Sequence, residues 1–280
     1  MSYRTFKEDE YFMFSVLLSV YKKEQPSHLR KSLDSLFSQT LLPSEIILVK
    51  DGELTPELNA VVSDYTQRYS ILKVVDLKKN QGLGKALNEG LKHCSYDLVA
   101  RMDTDDIAKL NRFEKQIDIF NNHPEIDIVS SWIDEFEGDT NHILSIRKLP
   151  EFHKDIYQFA KKRSPINHPV AMFKKSAIIE AGGYKHFPLF EDYYLWVRML
   201  MNGAKFYNIQ ESLLYFRLSP DMFKRRGGWI YAINEYKLQK KFKKIGFINN
   251  KEFLRNISVR FISRILSNKV RSFLYKKILR

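Results

Sequence analysis

Four short apolar runs, each followed by a stretch with helical spacing, fill roughly the first 120 residues and restrict the fold more than any other feature. Residues 13–20 (MFSVLLSV), 45–49, 71–76 and 96–102 have the length and apolar content of buried strands. The segments after them read as helices. From Ser27, the positions Leu29, Leu33, Leu36 and Phe37 share one face, 55–69 is a second helix, and 82–93 places Leu83, Ala86, Leu87, Gly90 and Leu91 on one side. Repeated strand–helix alternation calls for right-handed crossovers and a mostly parallel sheet flanked by helices. Downstream, helices are expected over 112–122, 152–160, 176–181 and 190–201, and strands over 126–132, 142–147, 170–173 and 213–217. No low-complexity linker interrupts this pattern, which predicts one catalytic-size domain to about residue 225.

The fourth apolar run ends in LVARMDTDDI (98–107), with three carboxylates within four residues. Parallel sheets bind ligands beyond the carboxyl ends of their strands. Three acids there repel one another unless a cation neutralises them, and hard oxygen donors suit Mg²⁺ or Mn²⁺. The competing reading is that Asp105 and Asp106 cap a helix starting near Lys109. The run KNQGLGK (79–85) opens a helix with two glycines and a lysine, a setting that favours anions, although it fits neither the dinucleotide nor the P-loop spacing.

Charge is distributed unevenly. Of the net +13, all is carried by 236–280, which holds 14 Lys and Arg against Glu252 alone, while the first 235 residues carry 32 basic and 32 acidic groups. A nucleic-acid binder would show its basic patch on the folded body, so no nucleic-acid partner is expected. The tail instead contains a stripe, Leu254, Ile257, Phe261 and Ile265, between basic residues, the composition of helices that lie on anionic membranes. Cys94 is alone, which excludes an internal disulfide and fits a reducing compartment. The polar first ten residues are not a secretory signal, and no run of about 18 apolar residues spans a bilayer.

Taken in order, FSVLLSVYKKE, EIILVKDG, NQGLGKALNEGL, ARMDTDD, NHPVAMFKK and FEDYYLWVRM resemble the family-2 inverting glycosyltransferases of GT-A fold, and among them bacterial enzymes that build O-antigen and amylovoran-type repeat units. The resemblance runs from Met13 to the 225–228 segment, and it implies the following assignments. Asp51 hydrogen-bonds uracil, with Tyr21 near the base. Asp103 and Asp105 form the metal-binding D-x-D, the first toward the ribose and the second toward the metal and diphosphate, with Asp106 an extra acid. Lys85 faces the nucleotide. Asp192 is the general base and Glu191 lines the acceptor site. Arg225 and Arg226 close over the diphosphate.

The implied reaction is transfer of a hexose, galactose favoured over glucose, from a UDP-sugar to a GlcNAc- or GalNAc-diphosphate-polyprenol. It would use Mn²⁺ or Mg²⁺, form a β linkage, and take place at the inner face of the cytoplasmic membrane. The expected organisation is a GT-A catalytic domain over 1–228, with nucleotide and acceptor halves meeting near residue 108, and a basic membrane-associating tail over 229–280. Inverting transfer needs one carboxylate to take the acceptor proton; taken alone, Glu191 and Asp192 would equally suit the start of a helix. His168, beside Pro169, reads as a structural histidine, with a substrate contact or a metal ligand as the alternatives. A nucleotidyltransferase, or a nucleic-acid binder acting through the tail, are the rival readings.

Overall fold

The computed structural model describes residues 13–218 and 228–265, with side chains to 259. In chain order the first half contains β1 (Phe14–Val20), α1 (Pro26–Phe37), β2 (Glu45–Asp51), α2 (Pro56–Arg68), β3 (Leu72–Leu77), α3 (Leu83–His93) and β4 (Leu98–Asp103). β5 (Ile107–Ala108), α4 (Arg112–Asn122), β6 (Ile128–Phe136), β7 (Ile143–Arg147) and α5 (His153–Ala160) follow. The chain continues through a 3₁₀ turn (His168–Val170), β8 (Met172–Lys174), α6 (Lys175–Glu180), α7 (Glu191–Met201) and β9 (Phe206–Arg217). Two helices, α8 (Gly228–Lys244) and α9 (Asn250–Ile265), complete the described chain.

The nine strands of the described residues join one sheet, ordered β3-β2-β1-β4-β8-β6-β9-β5, with β7 also paired to β6. The expected parallel pattern holds for β1 to β4, where β1 pairs in parallel with both β2 and β4. Beyond β4 the sheet is mixed: β8 runs antiparallel to β4 and β6, while β9 runs parallel to β6. Strands covered on both faces are apolar on both faces, which explains why β1 reads FSVLLSV without alternation and is buried along nearly its whole length.

One face of the sheet packs Val16, Leu18, Ile46 and Leu48 against α1, α2 and α4, and the other packs Leu17, Ile47 and Val49 against α3 and α7. α3 lies so close to the sheet that a Cβ at Gly90 would collide with Leu17 and come within 2.7 Å of Val49 Cγ2, so only glycine permits the approach. At the amino edge, Glu45 accepts hydrogen bonds from Ser15 Oγ, Ser95 N and Lys73 Nζ, tying β1, β2, β3 and the start of β4 together. Leu238, Phe242, Phe247 and Ile248 enter the same core as α7. These side chains pack α8 and the turn after it onto the body. Among the described residues no helix is long and apolar enough to cross a membrane.

Candidate functional site

β4 builds the centre of the site. Side chains alternate along a strand, so Arg101 and Asp103 project to the same face, toward α3 and α7. Arg101 is 1% exposed, and its Nη2 lies 2.5 Å from Asp103 Oδ1. The Asp103 carbonyl accepts from Ser32 Oγ of α1, and the Arg101 carbonyl from Arg112 Nη2 at 2.6 Å. Burial, then the charge of Arg101, lowers the Arg112 pKa to about 9. This strand end is held from both sides.

Asp105 and Asp106 do not cap a helix. They form a turn that leads into β5, and α4 begins only at Arg112. β5 pairs with β9, and that pairing brings Arg217, distant in sequence, onto the turn. The Arg217 backbone N–H donates to Asp106 Oδ1 at 2.8 Å and its Nε donates to the Asp105 carbonyl at 2.9 Å. Thr104 Oγ1 donates to Glu24 Oε2, fixing the chain between the acids.

The three carboxylates each offer an oxygen within 4.8 Å of the others. Their surroundings differ. Asp103 is neutralised by Arg101, and Asp106 is fully buried on the Arg217 amide. Burial, then repulsion from Asp103 and Glu24, raises the Asp105 pKa to about 7. Burial and the charges of Asp105 and Asp103 raise Asp106 well above the usual carboxylate range. Among the described residues, Asp106 Oδ2, Arg217 Nη2, and Arg101 Nε and Nη1 are buried without hydrogen-bond partners. Packed carboxylates with an orphaned acceptor oxygen fit a hard divalent cation, which accepts all-oxygen ligands and lifts their mutual repulsion.

The other expected positions gather on the same carboxyl edge. Tyr21, 38% exposed, follows β1. Asp51 ends β2 and is buried, and it accepts from Asn80 Nδ2, Gln81 N and Gly82 N at 2.7–3.0 Å. It therefore braces the turn before α3, and the exposed Lys85 sits in that helix's first turn. Gly52, at φ +87°, lets this turn close, since a Cβ there would stand 2.6 Å from Asn80 N.

Glu191 and Asp192 open α7, preceded by Leu189 in the left-handed region at φ +71°, a conformation costly for a branched residue. Burial raises the pKa of Glu191. Gly84 of α3 packs on Glu191, with 3.4 Å between Glu191 Cγ and the place a Cβ would occupy. Arg225 and Arg226 lie outside the described residues.

Three residues that sequence reasoning passed over connect these parts. Asn88 of α3 donates to the Tyr184 carbonyl and accepts from the Tyr184 N–H, at 2.7 and 2.8 Å. Tyr184, buried beneath the site, has Arg101, Asp192 and Asp103 within electrostatic reach, and burial raises its pKa far above the usual phenol value. His168 Nε2 lies 2.9 Å from the Tyr184 hydroxyl and edge-on to Trp196. Burial, then Arg101, holds the His168 pKa well below the ordinary value, so the ring stays neutral. His168 is a structural partner of Tyr184 and not a member of the acidic cluster. The third, Arg101, has no signal beyond its place two residues before Asp103 on an otherwise apolar strand.

Comparison with known proteins is consistent with this geometry. The profile of Glycosyl transferase family 2 matches residues 15–182. A UDP-Gal:alpha-D-GlcNAc-diphosphoundecaprenol beta-1,3-galactosyltransferase of Escherichia coli is 42% identical over 95% of this chain and 96% of its own. The amylovoran biosynthesis glycosyltransferase AmsE of Erwinia amylovora is 41% identical over 95% of this chain and 98% of its own. Among solved structures, residues 1–349 of S. aureus TarS in complex with UDP-GlcNAc superpose with a TM-score of 0.65 at 17% identity, covering 95% of this chain and 76% of that one. The Pyrobaculum calidifontis mannosyltransferase PcManGT, in complex with GDP-Man and Mn²⁺, superposes at 0.60 with 16% identity, covering 92% and 71%. These likenesses establish the fold as GT-A.

Proposed function

The chain belongs to glycosyl transferase family 2 and is a glycosyltransferase, and from that premise we propose that it transfers galactose from UDP-galactose to GlcNAc-diphosphate-polyprenol, with inversion to a β linkage. The observation that carries this reading is the joining of two acidic groups at one sheet edge. Asp103 of the acidic cluster and Asp192 at the start of α7 both lie within electrostatic reach of Tyr184, and Glu191 packs on Gly84 of α3. Substrate identity follows the names of the relatives, including the 42%-identical galactosyltransferase of E. coli.

In this reading Asp103 and Asp105 are the metal-binding pair for Mn²⁺ or Mg²⁺, Asp103 being kept in place by Arg101 and also turned toward the ribose, with Asp106 an extra acid beside them. The bound cation supplies charge neutralisation on the diphosphate. Tyr21 and Asp51 receive the uracil; Asp51 Oδ1, which takes only the Gln81 N–H from the 80–82 turn, keeps a lone pair. Lys85, Arg225 and Arg226 bring positive charge to the diphosphate. Asp192 takes the proton of the acceptor hydroxyl as that oxygen bonds to the anomeric carbon and the bond to the UDP oxygen breaks, and Glu191 lines the acceptor side. The departing UDP carries the charge, so no protein acid is needed on the leaving group. The acceptor places the enzyme at the inner face of the cytoplasmic membrane, and the basic 236–280 segment favours that surface.

The test is a donor panel with a synthetic GlcNAc-diphosphate-lipid, in Mn²⁺ or Mg²⁺, with the linkage read by NMR. A β-linked galactose product is expected. Asp192→Asn should lower kcat by about 10²–10⁴ while UDP still binds. Full activity in Asp192→Asn or Asp105→Ala, or no transfer from any UDP-hexose, would refute the reading.

A further inference from the structure

The helix that follows the last strand has two sharply different sides. α8 turns Ala232, Glu235, Leu238, Gln239 and Phe242 into the protein. At about 100° per residue, the opposite side begins with Trp229, Ile230 and Ile233, exposed by 64%, 76% and 47%. It continues with the exposed lysines Lys237, Lys240 and Lys244. The acid of this helix, Glu235, is 2% exposed and lies on the buried side. The outer face thus carries apolar bulk at one end, cations at the other, and no negative charge.

Its orientation relative to the catalytic elements is set by packing. Tyr231 stands edge-on to Phe190 with centroids 4.9 Å apart, and Phe190 immediately precedes Glu191 and Asp192. Further along, Phe242 packs on Tyr193 at 5.0 Å, so α8 lies against α7. Both ends of α8 therefore pack on the first turn of α7, where Asp192 lies, with the apolar start of the outer face beside Phe190.

We propose that the outer face of α8 is the surface by which this enzyme sits on an anionic phospholipid bilayer. Trp229, Ile230 and Ile233 enter the headgroup boundary, and Lys237, Lys240 and Lys244 pair with lipid phosphates. Solvated helix faces ordinarily mix both signs of charge; this one does not, and it belongs to a segment whose basic excess contrasts with a neutral body. Seated this way, α8 brings the Asp192 end of α7 to the membrane, where a lipid-linked sugar presents its hydroxyl. This inference rests on the lipid-linked-acceptor reading, and it moves the membrane contact from the Leu254 stripe to α8.

Full-length protein is sedimented with phosphatidylcholine vesicles, with and without phosphatidylglycerol and with no acceptor lipid present. The wild type should bind only the anionic vesicles and release as salt rises. The I230E/I233E and K237E/K240E/K244E variants should each lower the bound fraction about tenfold or more. Both should keep the wild-type melting temperature and UDP release with a water-soluble acceptor. Variants that sediment like the wild type, or a wild type that binds no anionic vesicle, overturn the proposal. Because vesicle binding requires no sugar transfer, an enzyme that binds vesicles through α8 but transfers nothing would sink the catalytic reading and leave this one standing.

Discussion

Replacing Arg101 with methionine keeps most of the side-chain volume and removes the cation from beneath the acidic cluster. Breaking a buried ion pair from one side costs about 3–5 kcal/mol. Arg101 is 1% exposed, but the Asp103 side chain is 31% exposed and keeps some water, so the lower end, about 3 kcal/mol, applies to metal-free protein. Mn²⁺ binding should move the other way. With carboxylate oxygens within 4.8 Å of one another and Arg101 2.5 Å from Asp103, a divalent ion held by these acids would be repelled by the guanidinium, by about 5 kcal/mol for a separation of roughly 6 Å at an effective dielectric near 20. Solvent and salt reduce this to about 2 kcal/mol, or some thirtyfold tighter Mn²⁺ binding in the variant.

Two measurements check the prediction at pH 8: thermal melting across a Mn²⁺ series, and free Mn²⁺ by electron paramagnetic resonance. Metal-free Arg101→Met should melt roughly 6–10 °C below the wild type and gain more from Mn²⁺ than the wild type does. Arg101→Lys should recover the charge effect on Mn²⁺ without restoring the guanidinium Nη2 contact to Asp103. Equal stability without metal, or Mn²⁺ binding in the methionine variant that is no tighter than in the wild type, would refute the division of roles among the three aspartates.

Three further outcomes follow from the packing. Asn88→Ala strips both backbone partners from Tyr184, at a cost of about 1–3 kcal/mol; kcat should fall while UDP affinity, measured by calorimetry, holds. Burial pushes Glu45 up, but the hydrogen bonds from Lys73, Ser15 and Ser95 outweigh it and bring its pKa to about 2. Because the folded value lies below the unfolded one, Glu45 adds stability above about pH 4.5 that is lost as pH falls toward 2, about 2 kcal/mol after allowing for water at Lys73. Urea melts of Glu45→Gln should therefore differ from wild type at pH 7 and converge as the solution is acidified. Gly90→Ala should destabilise by about 1–3 kcal/mol, since Leu17 and Val49 occupy the space a Cβ needs; a gain in stability would mean that α3 can lift from the sheet.

Much of the chain was legible in its order of residues. β1 to β4, α3, and α7 opening on Glu191–Asp192 follow from spacing, because helices and strands repeat over neighbours that the chain itself supplies. Parallel pairing of those strands then placed Asp51 and Asp103 on one edge. The competing cap reading of Asp105 and Asp106 fails, because β5 and its pairing with β9 take the place of a helix there. Local signals stopped short on β9, which begins at Phe206, ahead of the expected 213, because Phe206–Gln210 alternates only weakly.

What the linear order could not contain is which charges meet. Arg101 chooses Asp103 because both project from one strand face, whereas Arg217 reaches Asp105 and Asp106 across 112 and 111 positions. Asn88 finds Tyr184 96 positions away. The sequence by itself determined a sheet with acids at its carboxyl edge, because strand pairing and side-chain alternation act over short distances. Only the tertiary structure decided that those three acids are unequal, because burial and distance to a cation set a carboxylate's free energy, and both come from packing remote segments together.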